Sequence, residues 1–497
     1  MSAGIRKLVI CGGGIESYTL AHRLKKHFSD SLSITLIESG NVSEPACVSV
    51  PPAAVNFFTS QGVSEDVLVG EAGGLYRTAV LLKSVNQGKD FYLPFSPPGF
   101  MLHARDFQHF YVWAHKKGLA HSYDEFSLSS MSAKRLKFLP ASKDAGSLLS
   151  TLNHGYTLDV TRLKDYLRSK FQSMGGSIVD GEVSSVSLDA DGCIACLDVH
   201  GIDDSSVVGD FYIDCSGEDN SNLSSALNAS FLSERKSLPV DSIIRSVSSC
   251  SGSYRPFSSI SLQGAGYIIE QSAQYKKQSD FVYNSGELSD EEAVNLFSEY
   301  MRTPPSDLKK LSGQSKRRNQ FWVKNCIFMG ASSGFLQDPF MGTYSLSQSS
   351  ILRFISLFPS AKESAPLAEE YNRLTHLEYD CVVDFHSLLF RVFGLKSANA
   401  RSDSFLGEAV SDRLKSRVDM FNHTGRVPFR EGDPISQDLW VSTLLGSGLV
   451  PRAYDILVEG IEPKWIADQL KKMFQMIDGA SAKMPYLKDY IAQGSAV

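Results

Sequence analysis

A glycine-rich turn near the start of the chain has the residue types and spacing of a dinucleotide phosphate site. Residues 8–17 read Leu-Val-Ile-Cys-Gly-Gly-Gly-Ile-Glu-Ser, an apolar run followed by three glycines and a helix-forming stretch. Gly12 lets the chain turn sharply, and Gly14 lets backbone N–H groups approach a pyrophosphate. The following helix directs its positive N-terminal end at the anion. Gly12, Gly13 and Gly14 are therefore predicted to bind a cofactor.

Two further residues complete this predicted unit. Ser17 stands where the motif usually has Gly or Ala, and it is small enough for the helix to pack on the strand. A second apolar strand over 32–37 ends in Glu38, whose carboxylate can accept hydrogen bonds from ribose hydroxyls. The alternative is a glycine turn that joins an ordinary strand and helix. The order of strand, turn, helix, strand and acid favours the cofactor site.

The bulk composition excludes several classes of partner. The chain has 497 residues, 42% of them hydrophobic and 21% charged, and its net charge of −6 does not favour binding to nucleic acid. It has no apolar run of the roughly 18 residues that span a bilayer, and no recognisable signal peptide. We therefore expect a cytoplasmic protein without a membrane partner. Cys193 and Cys196 have the spacing of a metal or redox pair but no second pair beside them, and no metal site is predicted.

The elements around these residues predict an α/β fold. We expect a Rossmann-like dinucleotide-binding domain interwoven with a mixed β-sheet substrate domain, followed by a mainly helical C-terminal region. The predicted divisions are a nucleotide domain over 1–230 with inserted substrate-side segments over about 75–155, a sheet domain over 231–320, a return to the nucleotide domain over 321–360, and helices over 361–497. Within them we expect a loop over 91–103, a helix over 104–117, a mobile surface segment over 121–152 and a helix over 343–357.

Several distant blocks of sequence agree in order and spacing with one family. They are Gly12-Gly-Gly14, Phe211-Tyr-Ile-Asp214-Cys-Ser-Gly217, Trp322-Val-Lys-Asn325-Cys-Ile-Phe-Met-Gly330, Gly334-Phe-Leu-Gln-Asp338-Pro339, Leu439-Trp440 and Gly446-Ser-Gly448-Leu-Val-Pro451. Together they make the chain resemble the flavin-dependent tryptophan halogenases, a branch of the FAD monooxygenase superfamily. The resemblance extends over essentially the whole chain.

The resemblance implies FAD as the cofactor and an electron-rich organic substrate. It implies cofactor-side roles for Asp214, Gly330, Asp338 and Thr343. Asp338 has an alternative role as the cap of the helix that follows it, because Asp is common at helix N-termini. The chain shows one phosphate fingerprint, so a separate flavin reductase is expected to supply reduced FAD. The sequence leaves a homodimer open.

Three departures from the family pattern concern the reaction itself. Arg77, in a Tyr-Arg pair, stands where the family has a Lys that activates or delivers hypohalous acid. Met341 stands where the family has a Glu, and a thioether cannot accept a proton from an arenium intermediate. Tyr344 stands where the family has a Gly whose amide helps to hold halide near the flavin. We therefore predict Arg77 as a site residue in place of the Lys, and Met341 as an inactive substitute.

Two hypotheses follow for function. The first is an FAD-dependent oxidoreductase that uses reduced flavin and O₂ to monooxygenate or halogenate an unknown, electron-rich substrate, with tryptophan itself doubtful. Phe95, Phe100 and Tyr267 are candidates for lining an aromatic substrate pocket. The alternative is a catalytically degenerate protein that binds FAD for a structural or regulatory purpose.

Overall fold

A computed structural model describes residues 4–40, 43–86, 88–201, 205–217, 221–250, 252–263, 266–336, 340, 342–360, 364–392, 410–428, 430 and 432–494. The strands are β1 (Lys7–Cys11), β2 (Ser33–Glu38), β3 (Cys47–Val50), β4 (Leu75–Arg77), β5 (Ala79–Asn86), β6 (Lys89–Pro94), β7 (Gly155–Asp159), β8 (Ser177–Leu188), β9 (Ile194–Gly201), β10 (Ser205–Val207), β11 (Phe211–Asp214), β12 (Phe231–Ser233), β13 (Ser242–Ser249), β14 (Phe257–Gln263), β15 (Gly266–Ser272), β16 (Lys276–Tyr283), β17 (Lys309–Ser312), β18 (Lys316–Arg318), β19 (Trp322–Val323), β20 (Cys326–Phe328) and β21 (Gly334–Phe335). The helices are α1 (Ile15–Phe28), α2 (Pro52–Thr59), α3 (Phe107–Lys116), α4 (Leu128–Lys134), α5 (Val160–Ser173), α6 (Asn222–Ala226), α7 (Asp290–Met301), α8 (Thr343–Ser356), α9 (Ala365–Val392), α10 (Asp412–Thr424), α11 (Gln437–Gly446), α12 (Pro463–Lys483) and α13 (Leu487–Gly494).

An eight-stranded sheet forms the nucleotide-binding half, in the order β10-β9-β8-β2-β1-β11-β20-β19. The five neighbouring strands β8, β2, β1, β11 and β20 pair in parallel. Strands β9, β10 and β19 extend the two edges in antiparallel pairs. After the exposed Lys7, the central strand β1 is an unbroken apolar run, as expected of a strand in a parallel sheet that is covered on both faces. Helix α1 packs against α5 and α8. The predicted α/β fold with a Rossmann-like unit is confirmed.

A seven-stranded sheet forms the other half, in the order β17-β13-β16-β15-β14-β5-β6. Its pairs are antiparallel except for β5 and β14, which run in parallel with Ala79 opposite Phe257. Strand β4 immediately precedes β5 and pairs with β7 in a three-stranded sheet that also contains β3. Arg77, the last residue of β4, therefore lies where the small sheet joins the large one.

The C-terminal region is helical, as predicted. Helix α9 runs for 28 residues and packs against α10 and α11, while α12 packs against α3 and α4. Helix α8 begins at Thr343 and ends at Ser356, within a residue of the predicted span. Among the described residues, no helix combines the length and the apolar character that crossing a membrane requires.

The prediction of a mobile surface segment over 121–152 is wrong. Helix α4 lies within it, and Ser127, Ser129 and Ser130 are buried. The Ser127 hydroxyl donates to the carbonyl of Ser96 (3.0 Å), and the Ser129 hydroxyl accepts from the Ser96 N–H (3.0 Å). These bonds remove the cost of burying the hydroxyls, so a serine-rich composition does not indicate exposure here.

Two other boundaries differ from the prediction. The expected loop over 91–103 is wrong at its start, because β6 runs to Pro94 and pairs with β5. The expected helix over 104–117 begins only at Phe107. The residues before it form a tight turn with positive φ at His103 (48°) and Ala104 (55°), closed by hydrogen bonds between Leu102 and Arg105, and a helix cannot include them.

Candidate functional site

The glycine turn between β1 and α1 is crowded by the ends of the neighbouring strands. Gly12 has a φ of 135°, and a Cβ there would lie 2.4 Å from the carbonyl oxygen of Cys215. A Cβ on Gly13 would lie 2.5 Å from the carbonyl oxygen of Ser39. Both positions therefore require glycine. Gly14 is the N-cap residue of α1 and has no side chain that could occupy the helix N-terminus.

Two cavities adjoin this turn at the carboxyl ends of the parallel strands. The first, of about 430 Å³, is lined by Glu38, Gly40, Asp180, Gly181 and Gly201. The second, of about 250 Å³, is lined by Cys11, Gly12, Ile37, Ser39, Gly181, Glu182, Val183, Ser216, Ser221, Asn222 and Leu223. Open α/β sheets bind ligands at this end of their strands. The cavities and the turn thus suit the adenosine and phosphate groups of a dinucleotide.

Glu38 lies in the wall of the larger cavity, where the sequence predicts a ribose ligand. Its Oε2 accepts hydrogen bonds from Nε (3.3 Å) and Nη2 (3.0 Å) of Arg168. Arg168 also donates to the Tyr18 hydroxyl of α1 (3.1 Å). These contacts hold the carboxylate at the end of β2.

Ser17 and Gly330 serve the packing of α1. The Ser17 hydroxyl is buried and donates to the carbonyl of Gly14 (2.7 Å). Gly330 has a φ of 60°, and a Cβ there would lie 2.9 Å from the Cγ of Glu16. The turn after β20 therefore approaches α1 at its first turn, which places Gly330 beside the glycine turn.

Asp214 is fully buried at the end of β11 and organises the turn that follows it. Its Oδ1 accepts from the N–H (2.9 Å) and hydroxyl (2.6 Å) of Ser216 and from the hydroxyl of Ser332 (3.0 Å). Its Oδ2 accepts from the hydroxyl of Ser221. The carboxylate joins the turn after β11 to the turn after β20, beside the smaller cavity.

The start of α8 holds the remaining predicted cofactor residues. Asp338 and Met341 lie outside the described residues, and the N-cap residue of α8 is Gly342. The Thr343 hydroxyl faces the carbonyl of Leu336 at 3.4 Å. Tyr344 is buried against α1, and its hydroxyl lies 2.7 Å from that of Thr19. Burial raises the pKa of Tyr344, so its hydroxyl stays protonated.

Arg77 is buried at the junction of the two sheets, with 1% of its surface exposed. Its Nη1 donates to the hydroxyls of Ser49 (2.8 Å) and Ser258 (3.2 Å), and its Nη2 donates to the carbonyl of Phe340 (3.2 Å). The guanidinium carbon lies 5.0 Å from the centre of the Phe95 ring. Four segments distant in sequence thus meet at this side chain, and one of them directly precedes position 341.

Sequence reasoning missed the residues that hold Arg77. The Ser49 hydroxyl donates to Oε1 of Gln271 (2.8 Å), and Nε2 of Gln271 donates to the carbonyl of Cys47 (3.1 Å). Gln271 is on β15 and Ser49 is on β3, a strand of four residues with no alternating pattern. Gln271 stands between Glu270 and Ser272 at the polar end of β15, so nothing in the local pattern indicates this contact.

A run of aromatic rings leads from Arg77 to the C-terminal helices. Phe95 contacts Phe340 (5.8 Å between ring centres), Phe340 contacts Phe385 of α9 (5.6 Å), and Phe385 contacts Trp440 of α11 (5.0 Å), all edge to face. Of the three predicted pocket residues, Phe95 is part of this run. Tyr267 packs on Phe390 (5.1 Å), and Phe100 is 37% exposed.

Comparisons with known proteins agree over nearly the whole chain. The family model described as tryptophan halogenase matches residues 7–463. Tryptophan 6-halogenase SttH of Streptomyces toxytricini is 25% identical over 491 residues, covering 89% of this chain and 90% of that protein. Tryptophan 7-halogenase RebH of Lentzea aerocolonigenes is 22% identical over 450 residues, covering 85% and 82%.

Solved structures agree as well. BrvH, a flavin-dependent halogenase from Brevundimonas sp. BAL3, has a TM-score of 0.90 and 25% identity, and each chain is 99% covered. Xcc4156, a flavin-dependent halogenase from Xanthomonas campestris, has a TM-score of 0.90 and 23% identity, with 99% and 98% covered.

The phosphate turn and the adjoining cavities suit the cofactor that these enzymes use, which is FAD. Because the relatives are enzymes, the alternative of a non-catalytic flavin-binding protein is not favoured. With its glycine turn, its two sheets and its helical C-terminal region all in the family's order, the chain belongs to the tryptophan halogenase family of FAD-dependent enzymes.

Proposed function

We propose that this enzyme uses reduced FAD and O₂ to oxidise an electron-rich aromatic substrate, and that oxygen transfer is its preferred reaction. The observation that carries this proposal is the position of Arg77. A buried guanidinium stands at one end of an aromatic run, in place of the lysine of the family pattern. FAD supplies the oxygen-activating chemistry when it is bound, and the protein supplies orientation and exclusion of water.

Arg77 restricts the chemistry that the site supports. An arginine side chain stays protonated at physiological pH and has no free amine lone pair, so it does not form a haloamine readily. Two hydroxyls and a carbonyl accept hydrogen bonds from the guanidinium and fix its orientation. It can hold an oxygen-bearing oxidant by hydrogen bonds without reacting with it. Oxygen transfer requires no more of Arg77 than this.

The aromatic run supports an aromatic substrate. Phe95, Phe340, Phe385 and Trp440 make edge-to-face contacts, each worth about 0.5–1.5 kcal/mol beyond the area it buries, and an aromatic guest that joined the run would make the same kind of contact. Trp440 also lies under the guanidinium of Arg417, which is paired with Asp433 (2.6 Å). Free tryptophan is not the expected substrate, because Met341 cannot take the arenium proton.

The cofactor end of the molecule, which is the glycine turn with Glu38, supports a system of two proteins, this enzyme and a flavin reductase. Gly12, Gly13 and Gly14 would hold the FAD diphosphate at the N-terminus of α1, and Glu38 would bind the ribose. A separate flavin reductase would supply reduced FAD, since the chain has one phosphate fingerprint. The test is to add NADH and then NADPH anaerobically to the FAD-loaded protein. We expect the absorbance of oxidised flavin to persist, whereas bleaching within seconds would contradict the need for a reductase.

Halogenation is the second candidate, and the relatives' activities favour it. One experiment separates the two reactions. The protein is supplied with a flavin reductase, NADH, FAD and O₂, and with indole and phenol as probes, once with bromide and once without halide. A product heavier by one oxygen in both reactions supports oxygen transfer, and a product heavier by one bromine only with bromide supports halogenation. If neither probe nor any wider set of electron-rich arenes is converted, the proposed aromatic substrate class is wrong.

A further inference from the structure

The N-terminus of α1 is occupied by a carboxylate of the protein itself. The N–H of Ile15, the first residue of α1, donates to Oε1 of Glu44. The N-cap residue Gly14 offers no side chain of its own to this helix end. An anion at a helix N-terminus is stabilised by the first-turn N–H groups and by the helix dipole. Glu44 therefore stands in the place that the glycine turn prepares for a phosphate.

Glu44 is held there from a second direction. Its Oε2 lies 2.5 Å from the Nζ of Lys164 on α5, and its side chain is 13% exposed. Glu44 comes from the connection between β2 and β3. The carboxylate thus has the two partners that a bound phosphate would take at this position, a helix N-terminus and an ammonium group.

A second carboxylate lies on the first turn of the same helix. Burial, and more weakly the charge of Glu44, raise the pKa of Glu16 to about 7, while its own N–H and Lys164 act in the opposite direction. The negative charge of Glu44 disfavours the ionised form of Glu16. A diphosphate that joined both carboxylates would add to this repulsion, and the arrangement is relieved when Glu44 moves away.

We propose that Glu44 is a displaceable internal anion: it must leave the N-terminus of α1 before the FAD diphosphate can bind, and it returns when FAD dissociates. Displacement exchanges one anion for another at the same N–H groups and leaves Lys164 to pair with the incoming phosphate. The net gain from the helix N-terminus is therefore smaller than in a site that starts empty. Glu44 thereby lowers the affinity for FAD and sets its rate of exchange.

Exchange of the cofactor matters here if the proposed function holds. If a separate reductase supplies the reduced cofactor, oxidised FAD must leave and reduced FAD must enter in each cycle. A tightly held dinucleotide would slow that exchange. An internal anion that re-occupies the helix end assists release without altering the rest of the cavity.

The test compares Glu44→Gln and Glu44→Ala with the unaltered protein in calorimetric titrations with FAD, ADP and adenosine, without any turnover. Removing the competing charge is expected to tighten FAD and ADP binding by about tenfold, because the phosphates no longer displace an ionised carboxylate from the helix N-terminus. Adenosine, which lacks phosphates, is expected to bind equally to all three proteins. Glu71→Gln, which removes the charge of an exposed glutamate, serves as the matched control and should leave all three affinities unchanged.

Unchanged or weaker FAD and ADP binding in both Glu44 variants would overturn the proposal. Tighter adenosine binding would overturn it too, because the gain would not come from the phosphate site. Thermal unfolding of each variant verifies that it is folded. Failure of the oxygen-transfer proposal would leave these affinities as they are, so the two outcomes are distinguishable.

Discussion

The two ends of this enzyme are built by different means. At the cofactor end, Gly12 and Gly13 are fixed by the backbones of Cys215 and Ser39, and a side chain at either would collide with a carbonyl oxygen. At the reaction end, Arg77 is held by side chains and a carbonyl from four separate segments. Backbone crowding allows one residue type, whereas a side-chain network allows coordinated substitution. The cofactor end is therefore expected to keep the family pattern more strictly than the reaction end.

The largest expected effect concerns free tryptophan. We expect the enzyme to chlorinate or brominate it about 10⁴-fold or more below the rate of a tryptophan halogenase, because two groups that each typically contribute about 10²–10⁴-fold are replaced by Arg77 and Met341. The assay supplies reductase, NADH, FAD, halide and tryptophan and measures the halogenated product by mass spectrometry. Turnover at the speed of a tryptophan halogenase would show that the reaction end has not diverged in chemistry.

The next effect separates the two ends by substitution. Arg77→Met is expected to reduce turnover of a converted probe by about 10²-fold or more while leaving FAD affinity unchanged, since it removes a hydrogen-bonding cation that touches the oxidant. Gln271→Leu removes the acceptor of the Ser49 hydroxyl and the donor to the Cys47 carbonyl, and it should cost about tenfold because it loosens the hydroxyl that holds Arg77. Ser261→Ala, on the neighbouring strand β14, is the control. Equal losses from Gln271→Leu and Arg77→Met would argue for damage to the sheet rather than to the position of the guanidinium.

A substitution at the cofactor end should show the reverse behaviour. Gly12→Val is expected to lower FAD affinity by about a hundredfold or more, because the turn must open and each lost hydrogen bond to a charged phosphate costs about 1.5–3 kcal/mol. Retained flavin is measured after purification and titration. Gly479→Ala, where a Cβ meets no atom within 4 Å, should keep FAD binding. Equal flavin retention by both variants would show that the glycine turn is not the phosphate site.

The smallest expected effect is a pH dependence of stability from Glu16. Its pKa is raised from 4.5 to about 7 in the folded protein, so the folded state keeps a proton that the unfolded chain releases. The stability that this proton provides is complete below pH 4.5 and is lost as the pH rises through about 7, by at most about 3 kcal/mol. Glu16→Gln should flatten the fall in melting temperature between pH 5 and 8. An unchanged slope would show that Glu16 is ionised throughout.

Sequence patterns were informative where the backbone sets the constraint. The glycine turn, Ser17 and the start of α8 at Thr343 could be predicted because few residues satisfy a sharp turn or a close helix contact. Ser49 and Gln271 could not, because their role depends on two sheets meeting and not on local spacing. The prediction of a mobile surface segment around α4 was wrong for the same reason, since the serine hydroxyls of that segment hydrogen-bond to Ser96 and Tyr92 of the region around β6.

The parallel pair of β5 and β14 has a consequence for how the molecule folds. Just before it, Thr78 N–H donates to the carbonyl of Pro256 (2.8 Å), a residue 178 positions away. Contacts across so long a stretch are slow to form, because the entropy cost of closing the loop comes before the contacts stabilise it. Arg77 lies one residue before Thr78, and its partners Ser258 and Phe340 follow Pro256 in the sequence. The contacts of Arg77 therefore also require this loop to be closed. The nucleotide-binding sheet must close a stretch at least as long, because Leu8 of β1 pairs with Phe211 of β11, so FAD binding and turnover should both return slowly on refolding.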